Sequence, residues 1–217
     1  MLYSDVNAFR QHPEKKEKIK NMKTDIILAG VGGQGILTIA SILGQAALKE
    51  NHFLKQAETH GMSQRGGAVV SHLRISDREI ASDLIPGGKA DIILSVEPME
   101  ALRYLPYLSD TGYIVTSTTP FLNIPNYPES DKILSEIKKQ PRFVAIDAEQ
   151  IAKKIGNLRA SNMVMLGAAS PFIHIESSKI EEAIQHIFAK KGDKIVTLNL
   201  KAYMEGRQFA LENKMKN

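Results

Sequence analysis

The chain has 217 residues, 43% hydrophobic and 24% charged, an ordinary globular composition with room for one α/β domain and a small appendage. It contains no cysteine, which excludes disulfides, a thiolate nucleophile and cysteine-ligated iron–sulfur clusters from this chain. The formal net charge is +4, half of it carried by residues 1–21, so neither a nucleic-acid partner nor a strongly charged surface is indicated.

Residues 1–21 are polar and lysine-rich, with little apolar surface to bury. They read as a flexible leader outside the native fold, with Met22 a candidate native start and residues 22–217 a single domain. The leader has no apolar core of the kind that directs export, and no apolar run in the chain is long enough for a spanning helix. A cytoplasmic protein with no membrane partner is expected.

From Met22 the pattern alternates. TDIILAG (Thr24–Gly30) is a continuous apolar run of strand length, typical of a strand buried on both faces. Apolar residues at helical spacing over Ile36–Asn51 predict the first helix, and His52–Glu58 a second strand. A polar, glycine-ending loop follows over Thr59–Gly67. Ala68–Ser76 has period-two character and is expected in an antiparallel or mixed part of the sheet. Lys89–Pro98 repeats the buried-strand signal, with a helix behind it that Pro106 shortens.

Gly112–Thr118 reads as a strand, and the segment with Pro120, Pro125 and Pro128 as a long irregular loop. Asp131–Lys139 is helical, Arg142–Asp147 a strand and Ala148–Ile155 a helix. Helices alone complete the chain: Ser161–Ser170, Ser178–Lys191, and a last one from about Asn199. Strands alternating with helices, then helices alone, give an open, mostly parallel (mixed), Rossmann-like α/β sheet flanked by helices, with a helical C-terminal region.

Two loops carry the functional signal. Gly30-Val31-Gly32-Gly33-Gln34-Gly35 satisfies the dinucleotide-loop spacing between a buried strand and a helix. There, glycines permit a tight turn and helix amides face an anion. The same glycines also serve close packing. Glu58 stands roughly where a ribose-binding carboxylate belongs, but ETHGMSQRGG around it is too polar and glycine-dense for that strand end. In this second loop Glu58, His60, Ser63, Gln64, Arg65, Gly66 and Gly67 are candidates, and Arg65 offers a fork to phosphate or carboxylate. Mutual satisfaction at a subunit interface is the alternative. His60 is a weak catalytic candidate.

GVGGQGIL, then AETHGMSQRGG, then SDLIPGGKADIILSVEPMEALRYL together resemble the gamma-type domain of 2-oxoacid:ferredoxin oxidoreductases. The likeness extends from Met22 through RASNMVMLGA (Arg159–Ala168) to NLKAYMEGRQFA. ETHGMSQRGG points to the indolepyruvate branch rather than the pyruvate branch. The resemblance implies a large partner subunit holding thiamine diphosphate, Mg²⁺ and iron–sulfur clusters, none of them held by this chain. That partner would decarboxylate an aryl 2-oxo acid such as indolepyruvate, with CoA accepting the acyl group and ferredoxin the electrons. Gly32, Gly33, Gln34, Gly35 and Arg65 would then face the partner's active site or CoA.

His52, His72, His174 and His186 lack metal-ligand spacing and read as surface or satisfied core. Asp91 and Asp147 read as caps, Glu97 as the start of a helix, and Met163 and Met165 as core. Two rivals stand beside the subunit reading. One is a stand-alone NAD(P)-dependent oxidoreductase using Glu58; the other is a non-catalytic assembly subunit whose glycine loops only pack.

Overall fold

The computed structural model describes residues 22–60, 66–122 and 124–214; the expected leader lies outside them. The domain is organised about β1 (Lys23–Val31), whose side chains are apolar on both sides. Ile26 and Leu28 enter one core, and Ile27 and Ala29 the other. A strand of this kind needs a covering layer on each face. α1 (Ile36–Lys49), β2 (Phe53–His60), β3 (Ala68–Ser76), β4 (Ala90–Ser95), α2 (Pro98–Arg103), β5 (Leu108–Ser117), α3 (Ser130–Lys138) and β6 (Phe143–Ile146) follow. The chain continues through α4 (Ala148–Ile155), α5 (Ser161–Ala169), α6 (Ser177–Phe188) and α7 (Asp193–Lys214).

The sheet order is β2-β3-β1-β4-β5-β6. β1, β4, β5 and β6 run parallel, while β3 is antiparallel to both β1 and β2. The sheet is therefore mixed, and the alternating Ala68–Ser76 segment is its antiparallel member, as its pattern implied. α1 and α4–α7 cover one face, and α2 and α3 the other.

Several boundaries differ from the sequence reading. Thr59 and His60 belong to β2, because their backbones continue the ladder opposite Val70 and Val69. β5 begins at Leu108, ahead of Gly112. Pro106 sits in a 3₁₀ turn that ends the α2 region early, as expected. α7 starts at Asp193 and not near Asn199. Gly192, at φ +90°, breaks the preceding turn, and its carbonyl accepts from the amides of Ile195 and Val196 at 3.0 and 3.2 Å.

At the amino end of β1 a buried ion pair ties down the connection between β3 and β4. Asp25, fully buried, accepts from Arg74 Nε at 2.9 Å and Nη2 at 3.1 Å. The same guanidinium donates to the carbonyls of Ser82 and Leu84. A buried carboxylate needs such saturation, since an unpaired charge there is costly.

α5 is apolar around most of its circumference, and every residue from Asn162 to Ala169 is buried. α7 crosses it at two glycines. A Cβ on Gly167 would land on the Tyr203 carbonyl, and one on Gly206 on the Val164 carbonyl. Gly167→Ala should therefore separate the helices and cost about 1–3 kcal/mol. The urea midpoint measures it, and an unchanged midpoint would show that the crossing relaxes freely.

Candidate functional site

The carboxyl end of β1 turns through Gly32 and Gly33 into α1. Val31 lies opposite Ala68, and beyond this last pair Gly32 N–H donates to Gly67 C=O at 2.9 Å. The start of the first glycine turn and the end of the second loop are thus joined backbone to backbone. Gln34 staples the turn: its Oε1 accepts from Val31 N–H at 2.8 Å and its own N–H donates to Val31 C=O at 3.2 Å.

The glycines divide by role. A side chain at Gly30 would collide with Val96, Ile36 and Gln34, so this position serves packing. Gly35, at φ +82°, is the N-cap of α1, and its carbonyl receives Thr38 and Ile39 amides and Asn162 Nδ2, the last at 3.3 Å. Gly33, at φ +98°, is exposed, and a Cβ there would meet nothing within 4 Å. Gly33 is the exposed crest of the turn, with Gly32, Gln34 and Gly35 half-buried beside it. A phosphate or a partner backbone could approach it there.

The chain leaves β1 toward β2 and β3, then returns to place β4 on the opposite side. Such a reversal opens a crevice at the strands' carboxyl ends, the usual ligand position in α/β sheets. Here a cavity of about 120 Å³ lies against Gln34, Val96, Ser117, Phe121, Asn162 and Met165. Gln34 thus reaches the crevice as well as closing the turn. Asn162, which sequence reasoning missed, had one readable signal: an amide on a helix that after Ser161 is otherwise apolar.

Glu97 does more than open a helix. Its carboxylate, 1% exposed, caps α2 by accepting from Glu100 N–H at 2.9 Å. It also accepts from Phe121 N–H at 3.5 Å and from the Tyr127 hydroxyl. These bonds hold the proline-rich loop between β5 and α3 against the sheet end. Burial, and then the Glu97 acceptor, push the Tyr127 phenol far above its ordinary range. Burial also raises Glu100, with the Arg103 guanidinium opposing it.

The remaining candidates fall in different places. Glu58 is on β2 opposite Ser71, with β3 interposed between it and β1. The intervening strand separates it from the glycine turn, unlike the adjacent second strand of a dinucleotide fold. His60 ends β2 opposite Val69. Gly66, at φ +81°, and Gly67 lead into β3. Ser63, Gln64 and Arg65 lie outside the described residues.

His72 is structural. Its Nδ1 accepts from Ile85 N–H at 3.1 Å and its ring meets Tyr107 edge-on, while burial and then Arg74 hold its pKa below the ordinary value. Asp147 caps α4 through Gln150 N–H at 2.9 Å, and Asp91 accepts from Asp25 N–H at 2.8 Å. Met163 is core; Met165 is buried too but also lines the crevice. Among the described residues, no helix is long and apolar enough to cross a membrane.

A family model described as pyruvate ferredoxin/flavodoxin oxidoreductase matches residues 25–209. This chain belongs to that family. Within it, the chain groups with the indolepyruvate branch. Indolepyruvate oxidoreductase subunit IorB of Pyrococcus horikoshii is 37% identical over 198 residues, spanning 87% of this chain and 96% of that protein. The subunit of the same name in Archaeoglobus fulgidus is 37% identical over 202 residues, 89% of this chain and 98% of that one. The common gamma subunit of the pyruvate/ketoisovalerate oxidoreductases of Pyrococcus furiosus is more distant, 30% identical over 191 residues, 84% of this chain and 96% of that one.

Solved structures agree on the fold. A 2-oxoglutarate:ferredoxin oxidoreductase from Magnetococcus marinus, bound to 2-oxoglutarate, coenzyme A and succinyl-CoA, superposes with a TM-score of 0.72 at 22% identity. The match covers 88% of this chain and 31% of that longer one. Pyruvate oxidoreductase subunit PORC of Thermotoga maritima gives 0.66 at 19% identity, covering 86% of this chain and 96% of that one.

Tyr127→Phe should remove one donor from buried Glu97 and destabilise the domain by about 1–3 kcal/mol near neutral pH. A phenol whose folded pKa is raised contributes stability that is complete below its unfolded value near 10 and is lost as pH rises above it. The wild-type advantage in urea midpoint should therefore shrink above about pH 10; a difference that stays constant with pH would contradict this role for Tyr127.

Proposed function

We propose that this chain is the small subunit of a thiamine diphosphate-dependent 2-oxoacid:ferredoxin oxidoreductase that oxidatively decarboxylates indolepyruvate and other aryl pyruvates. The acyl group passes to CoA and the electrons to ferredoxin. The reading rests on the near full-length match to indolepyruvate oxidoreductase subunits. The junction of both glycine loops through Gly32 and Gly67 supports it from the structure.

A chain without cysteine offers no thiolate to an iron–sulfur cluster. Among the described residues, no group of three or more His, Asp or Glu is placed to hold a metal ion. We assign the clusters, the thiamine diphosphate and its Mg²⁺ to a large partner subunit in the cytoplasm, as the family resemblance implies, with thiamine supplying the carbanion chemistry when bound. This chain's part is to bind and orient. The crest of the turn presents the Gly33 amide, the Gly32 N–H being held by Gly67 C=O, and Arg65 would add a charged fork to CoA phosphate or to the closed interface. Gln34, Glu58, Ser63, Gln64, Gly66 and Gly67 complete the proposed surface; Gly30 and Gly35 shape it from beneath.

Phe121, Leu122 and Ile124, which are 39%, 73% and 44% exposed, project from the loop beside the crevice. We assign them to the same partner contact, since apolar side chains grouped at a site rim mark interaction surfaces. Leu122→Asp should prevent co-purification of the partner without unfolding this chain.

Arg65→Ala in the assembled complex should raise the apparent KM for CoA about tenfold to a hundredfold, the weight of a charge-assisted hydrogen bond. Indolepyruvate-dependent dye reduction reads it out. If both KM and assembly are unchanged, Arg65 leaves the site. If assembly alone fails, the packing reading of the loops gains, a reading the steric role of Gly30 already favours for that residue.

A further inference from the structure

A second cavity, of about 220 Å³, opens on the helical layer beside α1. Its lining includes Thr38, Asn157, Arg159, Asn162, Lys191 and Asn199. It is smaller than the roughly 300–1,000 Å³ of a pocket that engulfs a whole cofactor, so it suits a headgroup. Arg159 stands on the 3₁₀ turn Leu158–Ala160 and Lys191 ends the turn Ala189–Lys191. No carboxylate is among the lining residues. Among the described residues neither cation has an ion-pair partner. The Lys191 ammonium instead rests over the Phe188 ring, 5.1 Å from its centroid.

Two cations with no counter-charge among the described residues, gathered with amides and a hydroxyl around one concavity, form a receptor for an anion. Guanidinium and ammonium together suit the oxygens of a phosphate ester. Asn162 lines this cavity and the sheet-end crevice alike, and donates to Gly35 C=O at 3.3 Å. An anion held here would lie one side chain away from the glycine turn.

We propose that the Arg159–Lys191 cavity is a binding site for the phosphate ester of a nucleotide-like ligand, separate from the crevice at the sheet end. It depends on the function proposed above only in choosing coenzyme A as a probe.

The test is calorimetric titration of the full chain with coenzyme A, dephospho-coenzyme A and inorganic phosphate. Arg159→Ala and Lys191→Ala should each weaken coenzyme A binding about tenfold, the order expected for one charge-assisted contact. Lys153→Ala, an equal loss of charge outside the cavity, should leave it unchanged. Weaker binding of dephospho-coenzyme A would identify the 3′-phosphate as the occupant, and equal binding the diphosphate; both support the site. It is overturned if Lys153→Ala weakens binding as much as the cavity variants do. It is also overturned if no phosphate-bearing probe binds at millimolar concentration, or if both cavity variants bind like wild type. If that happens while the complex still oxidises indolepyruvate, the site fails and the subunit reading stands. If the complex has no such activity but the cavity binds phosphate esters, the reverse holds.

Discussion

Much of the molecule's organisation follows from one constraint, the antiparallel seating of β3 between β1 and β2. A parallel neighbour beside β1 would carry the second loop past the glycine turn. An antiparallel one begins where β1 ends, so Gly67 meets Gly32 and two segments far apart in the chain become one surface. The same insertion moves Glu58 one strand outward from β1. The architecture that joins the two glycine segments thus works against nucleotide binding by the ordinary dinucleotide arrangement.

The crevice itself is framed by long-range polar contacts that stand in for a rigid loop. Glu97 draws Phe121 and Tyr127 to the end of β4, and Asn162 fixes the first turn of α1 from the opposite side. Both are buried polar groups, and both hold an irregular segment against the sheet. Buried polar groups without partners are costly, so these bonds select one arrangement among many of similar apolar packing.

The parts of this arrangement that could be read in the sequence were those set by local periodicity. The apolar runs at Thr24–Gly30 and Lys89–Pro98 stood out because both faces of a central strand are covered. The period-two pattern of Ala68–Ser76 marked its antiparallel setting. Asp147 was legible as a cap, and Glu97 as the start of a helix, because both are local features; Asp91, read as a cap, instead lies inside β4 and accepts from Asp25 N–H. What escaped was the choice of neighbour. Nothing local says that β3 lies between β1 and β2, that Tyr127 reaches Glu97, or that Asn162 reaches Gly35. Those are tertiary choices, made by packing over long separations. The start of α7 was misplaced for a local reason, since a helix that follows closely on a 3₁₀ turn blurs the apolar period and only the positive φ of Gly192 separates them.

The glycine crossing of α5 and α7 has a consequence for biosynthesis. α5 is greasy on nearly every side, and α7, which shields it, emerges from the ribosome well after it. Until then the nascent chain carries an apolar rod, uncovered on that side, beside a sheet whose six strands have all been made, the kind of intermediate that recruits chaperones or aggregates. The covering of α5 thus waits for α7, which follows it by two elements of the helical layer.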